Sequence, residues 1–200
     1  MQQPSLYIIG VTGGIGSGKS VVSRLLRLMG VPVYDCDREA KRLMDGEAAI
    51  RKALIEAVGA EVYDASGRLN RRYLASYMFG HTERVDVVNR IVHPAVRADF
   101  RRWARQTGSP IVAVESAILF EAGMESDVDA VWMVHAPENV RVERAVQRDA
   151  ASEEAVRNRM KNQLGEQEYL ERADRVIRND GGHSLIAQLE ELLGQLPDRN

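Results

Sequence analysis

Residues Gly13-Gly14-Ile15-Gly16-Ser17-Gly18-Lys19-Ser20 satisfy the pattern G-x-x-x-x-G-K-[ST], in which each fixed residue type has a task at a phosphate group. Glycines let backbone N–H groups turn inward around phosphate oxygens where a Cβ would clash or forbid a positive φ. Lys19 is placed to reach the β- and γ-phosphates, and the Ser20 hydroxyl to ligate Mg²⁺. Gly14, Ile15, Gly16, Ser17, Gly18, Lys19 and Ser20 are therefore nucleotide-contact candidates, and ATP with Mg²⁺ the expected cofactors.

Two further groups of residues fit phosphoryl chemistry. Asp35 and Asp37 end an apolar run and would share a face if the strand continued through Cys36. A carboxylate there can take or orient the proton of an attacking hydroxyl; the competing assignment makes Asp37 the N-cap of the next helix. Glu115 closes Ile111–Val114, the place for an acid that holds Mg²⁺ directly or through water, or else for an ordinary surface carboxylate. Arg141, Arg144 and Arg148 fall on one helical face, and could clamp transferring phosphates or form a solvated face balanced by Glu143, Asp149, Glu153 and Glu154. His93 precedes Pro94, which predicts the end of one helix and the start of another there.

These groups need a scaffold. Leu6–Val11 reads as a buried strand, Val21–Met29 as a helix stopped by Gly30, Val31–Tyr34 as a second strand and Asp37–Met44 as a second helix. From Glu47 to about Gly108 the pattern is helical, with helices predicted over 49–58, 71–79, 84–92 and 94–106. Strands return at Ile111–Val114, Val128–Val134 and Arg175–Ile177, with helices over 138–149 and 184–193. The alternation predicts an α/β fold: a P-loop NTPase three-layer core with a five-stranded parallel sheet, an inserted helical substrate subdomain and a helical lid. Core segments are expected at 1–46, 109–137 and 174–200, the insertion at 47–108 and the lid at 138–173.

The chain has 200 residues, 44% of them hydrophobic, enough for a sizeable core. A net charge of −2 gives no general attraction to nucleic acid, which would need a local basic patch. With Cys36 as its only cysteine, the chain has no disulfide framework and fits a reducing, cytoplasmic compartment. No run approaches the roughly 20 apolar residues of a membrane span. A monomer or weak homo-oligomer without nucleic-acid or membrane partners is expected.

The run Val11-Thr12-Gly13-Gly14-Ile15-Gly16-Ser17-Gly18-Lys19-Ser20 resembles the phosphate loop of the dephospho-CoA kinases, and later segments agree in order. Val33-Tyr34-Asp35-Cys36-Asp37 is similar to the family's V-I-D-x-D, and Asn89-Arg90-Ile91-Val92-His93-Pro94 to its N-x-I-x-H-P. Leu119-Phe120-Glu121 resembles the end of L-L-F-E, Arg144 and Arg148-Asp149 the R-L-x-x-R-D segment, Gln163 the lid glutamine, and Ala173 to Gly181 the run A-D-x-V-I-x-N-x-G. The resemblance implies phosphorylation of dephospho-CoA by ATP, with Asp37 as base, Lys19 and Ser20 on γ-phosphate and Mg²⁺, and Arg144 as the lid arginine. It also implies Asn179 and Gly181 near adenine, and Arg71, His93 and Arg97 as acceptor contacts. Where the family reads D-x-P-L-L-F-E, this chain has Glu115 and Ala117, keeping a negative oxygen but adding a methylene and losing the proline.

Acceptor identity rests on that resemblance, since a phosphate loop plus a lid also suits other small-molecule or nucleoside monophosphate kinases. The N-K-x-D motif expected of a GTPase switch is missing from the sequence. A non-catalytic ATP-binding module would leave Asp37 and the arginine-bearing lid without a task.

Overall fold

In the computed structural model, which describes residues 6–196, five parallel strands form one sheet in the order β2-β3-β1-β4-β5. They are β1 (Tyr7–Thr12), β2 (Val33–Asp35), β3 (Ile111–Glu115), β4 (Ala130–His135) and β5 (Arg175–Arg178). β1 lies at the centre, pairing Val11 with Glu115 on one side and with Trp132 on the other. Its last four residues are all buried, as expected of a strand covered on both faces. The run 13–18 therefore leaves the sheet at its middle, from the carboxyl edge where open parallel sheets bind ligands.

The chain divides into two compact units. The first comprises the residues up to Tyr34 and from Thr107 onward. Here α1 (Lys19–Leu28) follows the glycine-rich run directly and buries Val22 and Leu26 against Ile9, Val11, Trp132 and Ile177. The chain after β4 leads into α6 (Glu138–Asp149), α7 (Glu153–Met160) and α8 (Glu166–Arg172), the region expected as a lid, and α9 (Leu185–Gly194) closes the unit.

The second unit, Asp35–Gln106, is all-helical and begins ahead of the expected boundary at 47. The cause is α2 (Cys36–Gly46), which packs on α3 (Ala48–Val58) and α5 (Thr82–Gln106); α4 (Arg71–Met78) joins the same cluster. Buried Asp99 on α5 accepts hydrogen bonds from Arg42 of α2 and from Arg102, an ion-paired arrangement that satisfies a carboxylate out of water.

One prediction fails here: α5 runs unbroken through His93 and Pro94. Proline in a helix interior costs about 3 kcal/mol and forfeits the bond its N–H would have made to the Arg90 carbonyl. Val88, Val92, Val96, Phe100 and Ala104 form a continuous buried stripe across that point. At about 1.5–3 kcal/mol for each fully buried large side chain, the stripe outweighs the proline.

Candidate active site

The glycine-rich loop is held by contacts that leave no room for side chains on it. Gly16 has φ +78°, and a Cβ there would collide with the backbone carbonyl of Arg141. Gly18, at φ +98°, is pressed against the Asn179 carboxamide, whose nitrogen donates to the Ser17 carbonyl at 2.7 Å. Asn179 is itself fixed twice, by its own N–H on the His135 carbonyl (2.7 Å) and by Arg144 Nη1 on its carbonyl (3.0 Å). Gly16→Ala adds the left-handed penalty of about 1–2 kcal/mol to a backbone collision. ATP affinity is expected to fall more than about tenfold, read by titration calorimetry.

Lys19 folds back over this loop. Its Nζ donates to the carbonyls of Gly13 (2.7 Å) and Gly14 (3.1 Å), which fixes the ammonium at the loop mouth. Ser20 is exposed in the first turn of α1, and Glu115 ends β3 beside Val11. Among the described residues no group of three or more His, Cys, Asp or Glu side chains could hold a metal ion. Mg²⁺ is usually held by one or two protein oxygens plus substrate phosphates and water, and Ser20 and Glu115 are the residues that could supply such oxygens.

Residues of the region expected as a lid line a cleft of about 600 Å³ beside the loop, with Gly14, Arg141, Gln163, Glu166 and Tyr169 in its walls. Gln163 Oε1 accepts the Ile15 N–H at 2.8 Å. The Arg141 guanidinium lies against Gly14, with only 14% of the side chain exposed, and pairs with Glu166 at 2.9 Å. Glu166 also meets His135 Nε2 at 3.1 Å. Tyr169 donates to the Ala117 carbonyl at 3.0 Å, and burial with the nearby Glu121 charge pushes its hydroxyl pKa well up, so it stays a donor. Arg172 stacks over Phe120, 4.1 Å from the ring centroid, and pairs with Glu125 at 2.8 Å.

Three polar atoms around the loop are buried without a hydrogen-bond partner: Thr12 Oγ1, Ser17 Oγ and Arg141 Nε. Buried donors normally find acceptors, so orphans clustered at a glycine cradle mark a place for an anionic group. A nucleotide phosphate fits the cradle, the fixed ammonium and the Arg141 guanidinium together.

The acidic pair does not adopt the predicted face-sharing arrangement. The strand stops at Asp35 because α2 starts at Cys36, and Asp35 is the N-cap, its Oδ1 accepting the Arg38 N–H at 3.0 Å. Asp37 lies exposed in the first turn, where it has no capping task. The acceptor candidates all belong to the helical unit. Arg71 pairs with Asp45 at 3.2 Å, while His93 and Arg97 lie on α5. His93 is half-buried, and desolvation lowers its pKa, favouring the neutral ring.

Arg144 therefore braces the β5 loop, and Arg141, three residues earlier, is the guanidinium beside Gly14. Helical spacing put both on one face and could not rank them. Glu166 and His135 carried no sequence signal, because their pairing spans 31 residues and no periodicity. Gly181, with φ +88°, sits in the turn after Asn179, where Asp180 accepts from the Gly182 N–H.

A family model described as dephospho-CoA kinase matches residues 7–184. A dephospho-CoA kinase of Bacteroides fragilis is 48% identical over 189 residues, 94% of this chain and 92% of that protein. One of Porphyromonas gingivalis is 44% identical over 94% of this chain and 93% of its own length. A crystal structure from Thermus thermophilus superposes with a TM-score of 0.82 at 36% identity, covering 97% of this chain and all of the other. Shikimate kinase from Acinetobacter baumannii shares the fold at TM-score 0.54 and 16% identity, with 97% of each chain covered.

Proposed function

The chain belongs to the dephospho-CoA kinase family, and on that premise we propose that it moves the γ-phosphoryl group of ATP onto the ribose 3′-hydroxyl of dephospho-CoA, giving CoA and ADP, the last step of coenzyme A biosynthesis. The observation that carries the chemistry is the loop itself: a glycine cradle with a pinned ammonium and buried orphan donors, suited to a polyphosphate tail. Phosphoryl transfer asks little covalent chemistry of a protein, so positioning and charge stabilisation are the tasks to assign.

Lys19 neutralises and orients the β- and γ-phosphates from a fixed position. Ser20 and Glu115 would hold Mg²⁺, which when bound supplies charge neutralisation across the β- and γ-oxygens. Arg141 adds a second cation from the lid side, and Arg144 keeps Asn179, and with it the Gly181 turn near adenine, in place. Asp37 takes or orients the proton of the attacking hydroxyl. Arg71, His93 and Arg97 are assigned to the acceptor, His93 as a neutral hydrogen-bonding ring rather than a charge. The single buried Cys36 supports a reducing, cytoplasmic setting.

The test is ADP release by the purified protein with Mg²⁺ and ATP, with and without dephospho-CoA, against AMP, adenosine, shikimate and gluconate. Stimulation by dephospho-CoA alone is expected. Turnover on another acceptor with none on dephospho-CoA would keep a kinase and discard this acceptor.

A further inference from the structure

A carboxamide from the region expected as a lid accepts a backbone N–H of the phosphate loop, and we propose that Gln163 is a positioning residue for phosphoryl transfer, fixing the loop at Ile15 while presenting its own NH₂ group to the transferring phosphate. The inference rests on the kinase reading and assigns a task within it.

The loop spends few of its N–H groups internally: Ser17 N–H goes to the Gly14 carbonyl, while those of Val21 and Val22 belong to the first helical turn. Ile15 N–H instead goes to Gln163 Oε1, across 148 residues. A carboxamide has one acceptor oxygen and a nitrogen with two hydrogens. With the oxygen pinned on the loop the amide plane loses its freedom to flip, and among the described residues none accepts from Gln163 Nε2. Gln163 shares the cleft wall with Gly14 and Arg141, so the unspent donor lies where the loop and the lid arginine converge.

A fastening task alone does not account for the contact. A neutral hydrogen bond contributes about 0.5–1.5 kcal/mol. The lid is already tied down by Tyr169 on Ala117, Arg172 on Glu125, and Glu166 on His135. What those ties do not supply is a donor fixed to the loop's own backbone. A phosphoryl group in flight spreads charge over its equatorial oxygens, and a donor held in register with the loop stabilises that charge without reorganising.

Two variants separate the oxygen from the nitrogen. Gln163→Glu keeps an acceptor for Ile15 N–H and removes the donor; Gln163→Ala removes both. Both are expected to lower kcat for dephospho-CoA phosphorylation by about 10²-fold, the scale for losing one preorganised donor. In Gln163→Ala, ATP affinity measured by calorimetry should move less than about threefold, and the melting temperature less than about 4 °C, the shift that 1 kcal/mol gives in a chain of this size. Gln163→Glu turning over at the unsubstituted rate overturns the donor role, and so does a loss in Gln163→Ala confined to the KM for ATP. Failure of the unsubstituted enzyme to phosphorylate dephospho-CoA overturns the kinase reading and this inference with it, whereas normal transfer by it and by both variants overturns the inference alone.

Discussion

Lys19→Ala is expected to lower kcat by at least about 10³-fold, because it removes a cation already fixed for the transition state. Nζ sits 2.7 and 3.1 Å from the carbonyls of Gly13 and Gly14, so two acceptors hold the ammonium in place before any ligand arrives. A charge preorganised in this way costs no reorganisation when the γ-phosphoryl group separates, and a mobile surface lysine could not replace it. Lys19→Arg is expected to rescue little, since the planar guanidinium fork cannot satisfy both carbonyls from the same point. The variant should keep its fold: the packing of α1 rests on Val22 and Leu26, which the change leaves alone. Single-turnover transfer measured beside a thermal melt checks both halves. Near-normal transfer by Lys19→Ala would remove the residue from the mechanism.

The loop was legible because its chemistry is contiguous: eight adjacent residues between an apolar strand and an amphipathic helix carry both the geometry and the ligands. The five strands were legible for a related reason, since strands buried on both faces read as short apolar runs. What failed had non-local causes. Pro94 is a strong local signal for a helix end, and the stripe from Val88 to Ala104 overrode it through burial against other helices. The boundary at 47 marked where strand signals cease, whereas the compact unit opens at Asp35, since the packing partners of α2 are α3 and α5. The lid contacts were invisible for the same reason. Ile15 meets Gln163 across 148 residues, and Asn179 meets Ser17 across 162, with nothing in either segment to announce its partner. Resemblance to the family supplied Gln163 by position; only the hydrogen bond to Ile15 suggested what it does.

The two aspartates show how a structure separates assignments that the sequence leaves tied. Both Asp35 and Asp37 stand at the strand-to-helix junction, and either residue type caps helices well. Asp35 has taken the cap, so Asp37→Asn is expected to leave stability within the roughly 0.5 kcal/mol of an ordinary surface change. Its effect should fall on turnover instead, with kcat lower by about 10²–10⁴-fold, the usual contribution of a positioned acid or base. ATP affinity should stay near the unsubstituted value, because the substitution removes a proton acceptor and leaves the phosphate loop unchanged. Asp35→Asn provides the contrast: asparagine caps as well as aspartate, so this variant should keep both stability and most of its rate. If kcat falls in Asp35→Asn and holds in Asp37→Asn, the base is Asp35 acting from the strand end, and the cap is a second use of the same carboxylate. A matched loss in both would mean that the junction's combined charge, rather than one proton acceptor, sets the rate.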